Sequence, residues 1–112
     1  MPLRNWELRI SDIVEAIENA LEYSSGMTFE QFVEDQKTID AVIRNFIIIG
    51  EAASHLPENF TEMHPDFPWR EMRDMRNIVI HEYFGVDNRI VWETIQKNLP
   101  PLLPLLKHLL NP

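Results

Sequence analysis

The sequence predicts an all-α domain, a bundle of four to five main helices. Apolar residues recur at helical spacing along most of the chain. Only 3 of the 112 residues are Gly, too few for the dense tight turns of an all-β fold. No segment alternates as a half-buried strand does; Ile47-Ile48-Ile49 is β-prone but sits inside a long helical pattern. At 112 residues, 45% of them hydrophobic and 25% charged, the chain is expected to form one globular domain spanning residues 1–112. That length buries a core without staples.

Each element follows from its own pattern. From Arg4 to Ser24, Ile10, Ile13, Val14, Ile17 and Leu21 share one helical face, and Asp12, Glu15, Glu18, Asn19 and Glu22 occupy the other. Ser24-Ser25-Gly26 ends this helix. Thr28 and Gln31 fit a capping box that opens a short helix, Phe29 to Glu34. Asp35 can cap a longer helix, Gln36 to Leu56, with Ile39, Val42, Ile43, Phe46, Ile47, Ile48, Ile49, Ala52 and Ala53 as its apolar set. That set covers more than one stripe, so the helix is expected to be buried on two sides, the second against another subunit. Pro57 to Pro68 holds three prolines and reads as a loop that could hold one turn of helix. Pro68 suits the first position of the next helix, which runs to Tyr83 and stops before Gly85. Asp87 can cap a last helix with Ile90, Val91, Ile95 and Leu99 on one face, which Pro100 and Pro101 are expected to kink or break. Leu102 to Leu110 then forms a Leu-rich packing or dimer element.

Composition narrows the chemistry. Cys is absent, which excludes disulfides, Cys-ligated metals and thiol catalysis. A net charge of −8 excludes a broad basic coat for duplex DNA, but not a local basic patch. The N-terminal residues lack a signal-peptide apolar core, and Leu99 to Leu110 is too short and too interrupted to span a bilayer. A soluble cytoplasmic protein is expected.

Chemistry concentrates between Trp69 and Phe84. On a helical wheel with Arg76 at zero, Arg73 falls at about 60°, Asn77 at about 100°, Arg70 at about 120° and His81 at about 140°. Met72, Met75 and Val79 lie on the opposite, core-facing side. Three Arg, one Asn and one His thus share less than half the circumference, a positive island on an acidic protein. Arg presents a planar fork that holds two phosphate oxygens and offsets charge growing in a phosphoryl transition state. His titrates near neutrality and can take or deliver a proton. Asn77 is placed to orient His81 or hold a substrate oxygen, and a ribose 2′-hydroxyl could serve as nucleophile without a metal. The four His show no i,i+4 pairing; no metal site and no cofactor are expected. Spacing alone also allows a plainer reading, in which Arg70, Arg73 and Arg76 pair with Glu71, Asp74 or Glu82 as a solvated face. Glu51 either reaches this site to pair with Arg76 or His81, or is an ordinary surface carboxylate. Trp69 and Trp92 read as core, and Tyr83 and Phe84 as packing aromatics ahead of a Gly stop.

The order Pro68-Trp69-Arg70, Met75-Arg76-Asn77, His81-Glu82-Tyr83-Phe84-Gly85-Val86-Asp87, Val91-Trp92 and Leu99-Pro100 resembles the HepT-like branch of the HEPN superfamily. Ile49-Gly50-Glu51-Ala52-Ala53 is similar to that family's central helix. Asp74 departs from the family, whose members often carry a small residue there. The resemblance implies an all-α homodimer whose Arg76-x4-His81-x-Tyr83 motif faces its copy across a groove. It implies a metal-independent RNA endonuclease acting as a toxin, with Arg76 and His81 catalytic, Asn77 and Glu51 supporting, and Arg70 and Arg73 guiding RNA. It also implies an antitoxin, a minimal nucleotidyltransferase of the MntA type, that transfers AMP to Tyr83. Bulk and negative charge added there would oppose an RNA phosphate at Arg76. The alternative class is a non-catalytic adaptor dimer that binds the nucleotidyltransferase, a reading favoured by the acidic net charge.

Overall fold

A computed structural model describes the backbone of residues 5–81 and 87–112, and the side chains of 6–77 and 87–112. Seven α-helices occur among the described residues, and no strand: α1 (Asn5–Ser24), α2 (Phe29–Val33), α3 (Gln36–Ser54), α4 (Glu58–Met63), α5 (Trp69–His81), α6 (Asn88–Glu93) and α7 (Leu99–Leu110). The long ones are the amphipathic segments legible in the sequence. None of them is long and apolar enough to cross a membrane.

Ile10, Ile13 and Ile17 of α1 are fully buried, and Ala16 and Ala20 let the neighbouring helix come close. The α1 end forms as expected: Ser24 Oγ donates to the Ala20 carbonyl at 2.9 Å, and Gly26 takes a left-handed φ of 77°. The capping box of α2 is present, with Thr28 Oγ1 accepting from the Gln31 N–H and Gln31 Oε1 from the Thr28 N–H. Phe32 on α2 is buried and packs its ring 5.2 Å from that of Trp92.

Helix α3 runs through the middle of the bundle, packed chiefly on α1 and α5. Asp35 caps it by accepting from the Thr38 N–H at 3.1 Å and from the Thr38 hydroxyl at 2.8 Å. The helix stops at Ser54, two residues short of the expected Leu56, because the His55 N–H turns back to the Ala52 and Ala53 carbonyls. Ile39, Val42, Phe46 and Ile49 fill the core, while Ile43 and Ile47 stay half-buried on a second stripe and Ile48 stays half-buried on the α1 side, near Ala16 and Asn19. Asn45 is a buried polar residue on the otherwise apolar core face of this helix. Its amide nitrogen donates to the Ala41 carbonyl at 2.8 Å and its oxygen accepts from Asn19 of α1.

Two expectations need correction. The stretch after Pro57 holds the six-residue helix α4, more than one turn, because burial of Phe60 between Trp6 and Trp69 anchors it. The prolines at 100 and 101 do not break the last helix. Residues 88–110 form one continuous helix in which Thr94–Asn98 widens to a π-helical turn. Proline lacks an N–H and clashes with the carbonyl four residues back. The extra residue looped out by the π turn, marked by the Leu99 N–H reaching the Thr94 carbonyl, shifts the register just ahead of Pro100 and Pro101. Leu99 and Leu106 are thereby kept in the core, and α7 packs against α1.

Candidate active site

Helix α5 begins at Trp69, so Pro68 stands just outside it, one position earlier than expected, and its carbonyl accepts from the Met72 N–H. Trp69 is buried and its indole N–H reaches the His64 carbonyl at 2.8 Å. Met72 and Met75 are buried as the wheel predicts. These anchors set the rotation of α5. The opposite face carries Arg70 and Asn77, both exposed, with Arg73 and Arg76 half-buried. His81 is the last residue of the same helix; its side chain, that of Val79, and Tyr83 with its neighbours lie outside the described residues.

The structure brings two of the expected site residues together. The Arg76 guanidinium donates through Nη1 to Glu51 Oε2 at 2.5 Å, across 25 positions of sequence. Of the two readings of Glu51, the structure shows the pairing with Arg76. The same Nη1 lies 3.4 Å from Ser54 Oγ. Ser54 and His55 both turn onto the Glu51 carbonyl, at 2.7 and 2.8 Å. A carbonyl can only accept, so His55 Nδ1 donates in this contact. Nδ1 is also 3.8 Å from Glu51 Oε1. An Arg–Glu–Ser–His cluster thus closes the C-terminal end of α3 against α5.

The plainer reading pairs these arginines with Glu71, Asp74 or Glu82, the last of which lies outside the described residues. Among the described residues, neither Arg70 nor Arg73 has an ion-pair partner, and Arg76 pairs with α3 rather than with Glu71 or Asp74 of its own helix. Two guanidiniums are left open beside a third.

Sequence reasoning missed how Arg76 is placed. A Cβ built on Gly50 would lie 2.7 Å from both the Cβ and the backbone nitrogen of Arg76, and 3.0 Å from the Arg73 carbonyl. Helices α3 and α5 therefore cross in near-backbone contact at this point. A signal was available: a Gly inside a helix costs about 1 kcal/mol relative to Ala and asks for a packing reason. Ser54 and His55 gave no such signal, since polar residues at a helix end are ordinary.

A family model described as Ribonuclease HepT-like matches residues 13–109. The chain belongs to the HepT-like ribonuclease family. It is 48% identical over 93 residues to "Probable ribonuclease HepT" of Thermococcus cleftensis, covering 83% of this chain and 84% of that protein. It is 44% identical over 102 residues to "Putative RNase TTE0752" of Caldanaerobacter subterraneus subsp. tengcongensis, covering 91% of each. A third relative, "Putative RNase MJ0127" of Methanocaldococcus jannaschii, is 37% identical over 100 residues, covering 89% of this chain and 83% of that protein. No solved structure matches. Within this HepT-like chain the matched span includes both α3 and α5, so the Gly50–Arg76 crossing and the Arg76–Glu51 pair lie inside the family region.

Proposed function

We propose that the chain is a metal-independent RNA endonuclease whose site is built on Arg76 and His81. One observation carries this within a ribonuclease family: on α5, Arg76 is held by Glu51 of α3, while exposed Arg70 and half-buried Arg73 have no ion-pair partner among the described residues. A phosphodiester needs such donors. Arg76 grips the non-bridging oxygens of the scissile phosphate, and Arg70 and Arg73 hold flanking phosphates.

The reaction then needs only proton traffic. A base removes the ribose 2′-hydroxyl proton, O2′ bonds to phosphorus, the P–O5′ bond breaks, and O5′ takes up a proton. His81 carries these transfers, and the two copies in a symmetric dimer groove can supply one acid and one base. Asn77 orients the imidazole or holds a substrate oxygen. Charge growing on the phosphoryl oxygens is met by the Arg76 guanidinium, which stays protonated at any working pH.

The biological role in this reading is that of a toxin paired with an MntA-type minimal nucleotidyltransferase. Transfer of an adenylyl group from ATP to the Tyr83 phenol, with pyrophosphate leaving, places negative charge seven residues from Arg76. The modification then blocks the phosphate by repulsion and bulk.

The test uses purified protein whose intact mass shows an unmodified Tyr83. Labelled RNA is incubated in EDTA with wild type, Arg76→Ala and His81→Ala, each checked for folding. Cleavage by wild type alone is expected. Normal cleavage by both variants overturns the reading. A stable complex with the nucleotidyltransferase and no cleavage by unmodified wild type selects the adaptor instead.

A further inference from the structure

We propose that Gly50 and Glu51 are positioning residues for Arg76: Gly50 admits the α5 backbone against α3, and Glu51 holds the guanidinium until an RNA phosphate takes its place. The inference rests on reading Arg76 as the phosphate-binding group.

The geometry supplies both halves. A methyl group at position 50 would overlap the Arg76 backbone nitrogen and Cβ at 2.7 Å and press on the Arg73 carbonyl at 3.0 Å. The obstructing atoms are mostly backbone, not the far end of a flexible side chain, so α5 itself would have to move. The adjacent residue, Glu51, then reaches the head of the same arginine. One dipeptide of α3 thus fixes Arg76 at both ends, at the backbone and at the guanidinium. Ser54 Oγ, 3.4 Å from Nη1, flanks the same point.

Glu51 is a suitable place-holder. Its carboxylate is half exposed, as is the pair it makes, so the contact is weak enough to exchange. A carboxylate and a phosphate offer the guanidinium the same planar pair of acceptors. Holding Arg76 extended between turnovers spares the ordering of a long side chain when RNA arrives. The carboxylate also competes with the phosphate, so its removal should strengthen ground-state binding and slow the chemical step.

The test compares Gly50→Ala, Glu51→Ala and Glu51→Gln with wild type in steady-state cleavage. Ala41→Gly serves as control, because it loosens α3 at a position remote from Arg76. Gly50→Ala is expected to lose about a hundredfold in kcat with little change in KM, the scale of a misplacement near 1 Å. Ala41→Gly should lower the melting temperature but leave kcat unchanged. Glu51→Ala should lower both KM and kcat. Glu51→Gln keeps an acceptor oxygen and drops the charge, so KM should fall while kcat is largely retained. If Gly50→Ala does not fold, the two Glu51 variants decide the question.

A second measurement needs no RNA. Rotation of the Arg76 guanidinium, followed by 15N NMR in the free protein, should be slow in wild type and fast in Glu51→Ala and Gly50→Ala. Fast rotation in wild type overturns the proposal whatever the cleavage data, as do wild-type kcat in Gly50→Ala or identical kinetics for Glu51→Ala and Glu51→Gln. Slow rotation in a wild type that cuts no RNA leaves the seat standing and counts against the ribonuclease reading instead.

Discussion

At the scale of single residues, the proposed reaction rests on what a guanidinium does that an ammonium cannot. Arg76 touches Glu51 and lies beside Ser54 at the same nitrogen, which a planar fork of donors permits. Arg76→Lys should therefore keep part of the RNA affinity, since the charge stays, and lose about a hundredfold in single-turnover cleavage rate, since one point charge cannot match two phosphoryl oxygens. Equal losses in binding and rate would mean that Arg76 only attracts RNA. Asp74 makes the opposite prediction. It is exposed one helical turn after Arg70, at the Arg70 edge of the arc, where its negative charge opposes an incoming phosphate. Asp74→Ser should lower KM for RNA at low salt, and the gain should shrink as ionic strength rises and the exposed charges are screened. The arginine arc was legible because Arg70, Arg73, Arg76 and His81 recur at helical spacing. The seat was not legible in the same way. Gly50 acts through a missing Cβ, and its effect exists only once α3 and α5 cross.

At the scale of elements, local chemistry was read well where a side chain talks to its own backbone. The Thr28 capping box and the Asp35 cap both form as their sequence spacing predicts. Asp35 also links an element to pH. Hydrogen bonds from the Thr38 N–H and hydroxyl favour its ionised form, so its pKa is lowered from the ordinary 3.8. The folded value lies below the unfolded one, so the cap contributes fully above the unfolded pKa and is lost as pH falls through the lowered value. Asp35→Asn keeps an acceptor for the N–H and removes this charge dependence. Melting temperatures of the two proteins, followed from about pH 6 down to pH 2, should converge at the acid end, with wild type higher at the upper end. A constant gap would show that the carboxylate charge adds nothing. In the last helix, the break that the prolines made possible does not occur, for a reason of the same kind in reverse. Pro100 and Pro101 forbid ordinary i−4 bonding, but the chain answers with a π-helical turn at Thr94–Asn98, a register change that no single residue announces.

At the scale of the whole molecule, the apolar stripe on α3 decides what the site needs to be complete. Residues spaced by a helical turn share a face, so Ile43 and Ile47 continue directly into Glu51 and Ser54. The two isoleucines stay half-buried in the isolated chain, and the site begins where they end. A second copy seated on that stripe would bring its own arginine arc to the same place. That matters for a protein of charge −8, because three arginines on one α5 are a small attractor for RNA and two arcs facing one groove are a larger one. Ile47→Glu tests whether the groove is shared. A charge in the middle of an isologous contact is repeated in both copies and costs each of them its desolvation, while the same residue on a free surface costs little. The variant should sediment as a folded monomer with unchanged helical content and lose RNA cleavage. Wild-type activity should fall with dilution through the dimer dissociation constant measured by sedimentation. A monomeric Ile47→Glu that cuts RNA at the wild-type rate would instead place a complete site in one chain, with Arg76, His81 and the Glu51 seat sufficient by themselves.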